Sequence, residues 1–317
     1  MTEIHKEILN GFIEAIFPRT AEWLEKAKTS RFVHYTSADT AFKIIEGKEL
    51  WFRNAAVMND YSEVQYGLEL IKLALAEEQG EKFRKSLDDI FPEICKFILS
   101  TLAQWESDLL FETYISCVSS HEASEDQMGR LSMWRAYGDV ALVINSTPMT
   151  AETDLLGVYS VPVAYIEKEE FQRRLEATAD FILSNADRIR TFGASAIINI
   201  LHWAFVNIAI ATKHPGFSEE KELRLYYRPN QRKSKEMKAK RVIIQGVPQI
   251  IYALNLRNDP SAGLFGADLP TLLDRVIIGP SEHPYVSVAA FRSALEAAGV
   301  KDTASKVIAS DIPLRRR

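Results

Sequence analysis

Two cysteines in 317 residues, Cys95 and Cys117, are too few for a disulfide framework or a thiolate-built metal cluster. A reducing, cytoplasmic setting is the simplest reading of that scarcity. An excess of positive charge is also missing. Lys and Arg number 38 against 43 Asp and Glu, a formal net charge of −5, which argues against an obligate nucleic-acid binder. The opening MTEIHKEILNGFIEAIF is amphipathic and acidic, with no apolar stretch followed by small residues, and does not read as a signal peptide. No GxGxxG, Walker loop, HExxH or GxSxG motif occurs, which removes the commonest dinucleotide, triphosphate, zinc-hydrolase and serine-hydrolase sites. His121, His202, His214 and His283 have no ligand spacing between them, so no metal is expected. There is no internal repeat, no low-complexity segment and no Pro/Ser-rich linker.

What is present is a chain with 47% hydrophobic residues, enough for a sizeable core. The longest apolar run, ASAIINILHWAFVNIAIA at 194–211, carries Asn199, His202 and Asn207. Its length is at the lower limit for crossing a bilayer, and it reads as a buried core helix. Periodicity predicts helices at 3–16 and 19–28, a strand at FVHYT, and a helix at ADTAFKIIEG capped by Thr36 or Ser37 and closed by Gly47. A strand ELWFRN and a loop AAVMNDYSE follow, then helical stretches at about 63–110 and 167–212. Further strands are expected at TYISCVSS, VALVINS, LGVYSVPVAYI, KELRLYYRP, RVIIQGVPQIIYALNL, LLDRVIIGP and SKVIASDIP. Strands and helices mix without regular βαβ alternation. The expected class is therefore α+β, one domain with a mixed or antiparallel sheet over 31–317, helical insertions, and N-terminal helices (1–30) packed on the core.

Three stretches could carry chemistry. In HYTS, His34 sits at a strand end beside the hydroxyls of Tyr35, Thr36 and Ser37, where a helix N-terminus suits an anionic group. The structural alternative is a half-buried histidine beside ordinary helix caps. In GFSEEKELRLYY, Glu220, Glu222 and Arg224 alternate and would share one face of a strand, with Glu219 and Lys221 on the other. Such a face is either solvated or lines a cleft, where a glutamate can hold a ribose hydroxyl or stabilise an oxocarbenium-like transition state. In SMWRAYGD, Trp134 and Tyr137 fall on one side of a helical turn, placed to stack a flat ring or simply to fill the core. Ser116, in YISCVSS, either lines a cleft or finishes a strand.

The ordered set HYTS…LWF…MNDYSE, YISCVSS, MWRAYGD-VALVI, K-HPGFSEEKELR, VIIGP and VIASDIPLR resembles the mainly bacterial family known as domain of unknown function 2971, from about residue 31 to 316. More distantly, FVHYTSADTAFKIIEGKELWF resembles the opening of the ADP-ribosyltransferase superfamily, including RNA 2′-phosphotransferases and DNA-modifying toxins. That resemblance implies an ADP-ribosyltransferase-like fold with NAD as substrate. It implies that His34 contacts the adenosine-side ribose with Tyr35 and Thr36 beside it, that Glu222 holds the nicotinamide ribose, and that Glu220 positions the acceptor. Ser116, Trp134 and Tyr137 compete for the middle position, and Lys213 and Arg224 are candidate phosphate contacts. The implied function is an NAD-dependent ADP-ribosyltransferase-like enzyme, a bacterial toxin or anti-phage effector acting on nucleic acid or protein. The alternatives are an inactive nucleotide- or nucleic-acid-binding module of the same fold, or an RNA 2′-phosphotransferase using the basic run at 228–241. No membrane partner is implied. A shared NAD pocket requires His34 and the two glutamates within about 10 Å of one another.

Overall fold

The computed structural model describes residues 3–17, 20–58, 61–151, 153, 155–244 and 246–313. Along the chain run α1 (Glu3–Ile16), α2 (Thr20–Lys28), β1 (Arg31–Thr36), α3 (Ala38–Gly47) and β2 (Glu49–Asn54). Next come α4 (Tyr61–Ala76), α5 (Glu81–Asp88), α6 (Ile94–Phe111), β3 (Tyr114–His121), α7 (Leu131–Ala136) and β4 (Val140–Asn145). They are followed by β5 (Val158–Pro162), β6 (Ala164–Tyr165), α8 (Lys168–Ser184), α9 (Ala186–Arg190), α10 (Ala194–Ala211), β7 (Thr212–Lys213) and β8 (Glu222–Tyr227). The chain closes with β9 (Met237–Ile244), β10 (Val247–Asn255), α11 (Leu269–Leu272), β11 (Leu273–Ile278), α12 (Pro284–Ala297), α13 (Thr303–Lys306) and β12 (Val307–Ala309). The class is mixed α/β with a mixed sheet: β11 and β12 pair in parallel, while β4–β1, β1–β3, β3–β8 and β2–β10 are antiparallel.

Contacts divide the chain into two compact units. The first comprises 1–23, 55–113 and 161–218 and gathers both helical insertions with the N-terminal helix. In it α1 packs on α8, and α4 packs on α10. Helix α10 is the one described helix long and apolar enough to cross a membrane, but Ile197, Leu201 and the run Ala204–Ala211 are buried inside the unit. Gly67 of α4 makes that packing possible. A Cβ there would lie 2.4 Å from the Ala209 Cα and 2.7 Å from two carbonyl oxygens of α10, contacts that no side-chain rotation relieves.

The second unit comprises 24–54, 114–160 and 219–317 and holds the large sheet, ordered β12-β11-β4-β1-β3-β2-β10-β9, with β8 on β3 and β5 on β8. Strand β4 reads as an uninterrupted apolar run because Val140–Ile144 are buried whichever face they point to. Helix α3 buries Ala41, Ile44 and Ile45, the spacing of one helical face. Ser37 caps it by accepting from the Thr40 N–H, so Thr36 stays in β1. Its other end differs from expectation. Gly47 remains helical, and Lys48 takes the left-handed position at φ 48°.

The sheet splits at β3. On one edge of β3, Ser119–His121 pair with Val33–Arg31 of β1, while Tyr114 and Ile115 pair with Asn54 and Arg53 of β2. Strand β8 occupies the opposite edge, from Tyr114 to Ser119. Between the two partners on the first edge the ladder is interrupted over 116–118. There the His34 ring reaches across and its Nδ1–H donates to the Cys117 carbonyl at 2.8 Å.

Candidate functional site

Cross-strand rows of an antiparallel sheet put directly opposed residues on the same face. Val33, Ser119 and Glu222 form one such row across β1, β3 and β8, and Cys117 opposes Arg224. The face that carries Val33 also carries Tyr35, packed in a cluster with Met133, Trp134, Ala141, Val143 and Ile277, against which Tyr137 rests. His34 is opposite Leu142, and Ser116 is opposite Leu225. By the period of two, both belong to the other face, together with Val118, Leu223, Leu225 and Tyr227.

On the His34 face, His34, Val118, Leu142, Ile144, Leu225 and Leu254 line an apolar cavity of about 90 Å³. Because Nδ1 faces a carbonyl oxygen it must carry the proton, which leaves Nε2 as an acceptor in the neutral ring. Burial lowers the His34 pKa below its ordinary value, and the bond to Cys117 opposes that only in part. Ser116 on this face is buried, and its hydroxyl has no hydrogen-bond partner.

The opposite face holds the charge. Glu222 and Arg224, with side chains 6% and 2% exposed, form an ion pair: Arg224 Nε donates to Oε1 at 2.9 Å and Nη2 to Oε2 at 3.2 Å. Glu220 accepts from the Tyr137 hydroxyl at 2.7 Å. Arg130 fixes the segment before β8. Its Nη1 donates to the Glu219 and Glu220 carbonyls at 2.8 and 3.1 Å, its Nη2 to the Ser120 carbonyl at 3.0 Å, and its Nε to Glu125 at 2.9 Å. Farther along β8, Tyr226 stacks on the exposed Tyr159 with ring centroids 5.3 Å apart. A ring of charges braces the start of β1. Arg31 bridges Asp126 and Asp274, Arg275 contacts both, and the His121 Nε2 lies 3.0 Å from Asp126. Burial would raise the Asp274 carboxyl, but the bonds from Arg275 and Arg31 outweigh it and hold its pKa below the usual range.

The expected residues therefore fall into two groups. His34, Thr36 and Ser116 are on one face. Tyr35, Trp134, Tyr137, Glu220, Glu222 and Arg224 are on the other. Strand alternation argues against a shared pocket for His34 and Glu222: their strands are two ladder steps apart, roughly 10 Å, and counting from the Val33–Ser119–Glu222 row assigns them to opposite faces. Trp134 is corrected as a stacking platform. It is 1% exposed, its ring meets Tyr35 edge-on at 4.8 Å, and its Nε1–H donates to the Met128 carbonyl. Tyr35 is equally committed: its hydroxyl accepts from the Arg130 N–H at 2.9 Å, and burial pushes its pKa up to about 12. Thr36 closes β1, where its carbonyl accepts from the Asp139 N–H, and Gly138 passes so near that a Cβ would lie 2.2 Å from the Thr36 backbone.

Glu220 does not lie on the strand. Pro215–Glu220 form a 3-10 turn, and Lys221 at φ 45° swings the chain before β8 starts at Glu222. Lys213 lies in the first unit, buried and 5.3 Å over the Phe217 ring. Asn59 and Asp60 of MNDYSE lie outside the described residues. The basic run at 228–241 divides: Arg228 is buried, Lys233, Lys235, Lys238 and Arg241 are exposed, and Lys240 pairs with Glu49.

Three contributors are missed by sequence reasoning. Arg130 sat in what reads as a polar loop, and nothing local signals its targets. Tyr159 had a signal: the alternation in LGVYSVPVAYI turns it away from Val158 and Ser160, which line the cavity. Ser119 was within reach of the same period-two argument, as the cross-strand neighbour of Glu222. Among the described residues no group of three or more His, Cys, Asp or Glu side chains is arranged to hold a metal ion. Comparison of the chain with models of protein families, with curated proteins and with solved structures gives no match.

Proposed function

We propose that the second unit is an ADP-ribosyltransferase-like catalytic unit that binds NAD along the Glu222 face of its sheet. The observation that supports this is the gathering of two carboxylates, each with its own partner, on one face: Glu222 with Arg224, and Glu220 with the Tyr137 phenol. Glu222 holds a hydroxyl of the nicotinamide ribose and stabilises the cationic sugar as the C–N glycosidic bond breaks and nicotinamide leaves with the bonding pair. An acceptor hydroxyl or amine on nucleic acid or protein then bonds to the ribose carbon, and its proton passes to Glu220. The Tyr159–Tyr226 stack offers an aromatic surface for a base, and Arg224 orients the Glu222 carboxylate. His34 has no part in this reading. The β1 side chains on this face are Arg31, Val33 and Tyr35. The same reading takes the chain as a member of the domain of unknown function 2971 family, on its ordered motifs.

A second reading, a nucleotide-binding module without catalysis, is favoured by one detail. Both carboxylate oxygens of Glu222 are already bonded to Arg224. Calorimetry with NAD and chromatographic detection of released nicotinamide separate the two. Binding with nicotinamide release that Glu222→Gln abolishes supports the enzyme. Binding with no release supports the module, and no binding refutes both.

A further inference from the structure

We propose that the cavity on the His34 face is a second, independent ligand site, which takes a small apolar molecule carrying a single hydroxyl donor. Its walls come from the sheet (Leu50, Phe52, Val118, Leu142, Leu225, Leu254), from Pro148, Met149, Ala151, Thr153, Leu156 and Val158, and from residues between Leu264 and Leu273. All of these residues belong to the second unit. The lining is overwhelmingly aliphatic, so a charged or sugar-bearing ligand loses hydration there without compensation. Its volume of about 90 Å³ is somewhat over half that of an apolar cavity of about 150 Å³ that takes up benzene, room for roughly four to five non-hydrogen atoms. NAD, with its charged diphosphate and two sugars, is therefore a poor match to this lining by polarity.

The polar feature that selects a ligand is His34. A histidine placed only to satisfy the interrupted β3 ladder needs one ring nitrogen, and Nδ1 supplies it at the Cys117 carbonyl. The second nitrogen, Nε2, remains an acceptor on a residue that lines the cavity. In an apolar surround, an acceptor left unmatched costs free energy that a donor-bearing ligand recovers. Mostly apolar walls, with the His34 ring acceptor at the sheet and Thr153, Ser160 and Asn255 as the other polar side chains of the lining, describe a receptor for a short branched or linear alcohol, recognised by shape and a hydrogen bond to His34.

The test uses the unmodified full-length protein, with isobutanol as the probe and 1-chloro-2-methylpropane as its partner of equal heavy-atom count without a donor. The ¹⁵N resonance of His34 Nε2 is followed during titration. Saturable movement with isobutanol, at a dissociation constant roughly three- to tenfold lower than that of the chloride, is expected for one added hydrogen bond. A His34→Phe variant should lose that discrimination while the chloride's affinity stays within about threefold. Equal affinity for both probes in the native protein, or no shift at His34 with either, overturns the proposal. Since the native-protein titration needs no substitution, a variant that fails to fold does not spare it. NAD leaves the His34 resonance unmoved, so the outcome is separable from that of the function proposed above.

Discussion

Replacing the buried Glu222–Arg224 pair one partner at a time, and then both together, separates what this pair does for folding from what it does for a ligand. The side chains are 6% and 2% exposed. Arg224→Met therefore strands a carboxylate in the interior, and Glu222→Met strands a guanidinium. Losing one partner of such a pair costs roughly 3–5 kcal/mol. Both residues also have other interactions, which favours the lower end. At about 2–4 °C per kcal/mol, the single variants should melt at least 6 °C below the native protein. The double replacement removes both charges together and should recover to within about 1–2 kcal/mol of native stability. Urea titrations of the four proteins give the coupling energy, expected at roughly 2 kcal/mol or more. Calorimetry on the well-folded double variant then asks whether NAD binding has gone. Additive single effects, with coupling under about 0.5 kcal/mol, would refute the claim that the pair acts as a unit. A stable double variant that still binds NAD would refute its role in the site.

Gly67→Ala should destabilise the protein by about 1–3 kcal/mol or more, because the added methyl meets the α10 backbone at 2.4 Å rather than a movable side chain; thermal melting measures it. Ser37→Ala should cost about 1 kcal/mol through the lost cap on Thr40, read from the urea midpoint. Burial lowers the pKa of both His34 and His121, so each takes up a proton on unfolding in the window between its folded pKa and about 6.5. Their contribution is complete above pH 6.5 and is lost as pH falls, with a slope of at most about 1.4 kcal/mol per pH unit for each group. Urea midpoints measured from pH 7.5 to 5 should fall on acidification, and less steeply in His34→Phe. Asp274, lowered in the carboxylate range, contributes only at more acidic pH.

Local features were legible in the sequence to the extent that they depend on near neighbours. The Ser37 cap, the alternation of β8 and the buried run at 194–211 follow from propensity and period. What could not be read is set by the ladders between distant strands. The period of two gives the relative facing of Glu222 and Arg224, but not which of them faces His34. That relation depends on β3, whose Ser119 joins Val33 to Glu222 and leaves His34 one residue out of step. A shift of one residue in either register would have put His34 on the glutamate face. Glu220 escaped the strand for a local reason that composition conceals: Lys221 adopts a left-handed conformation more often taken by glycine or asparagine. Trp134 illustrates the opposite case. Aromatics at helical spacing look the same whether they stack a ligand or fill a core, and only its bond to Met128 and its contact with Tyr35 decide the matter.

The most direct test of a sheet whose two faces do different work is a crystal structure of the protein soaked with NAD. Density along the face of Glu220, Glu222 and Tyr137, with the His34 cavity unaltered, is the predicted result. Density that contacts His34 Nε2 and Glu222 at once, or nucleotide bound away from β8, would contradict the account.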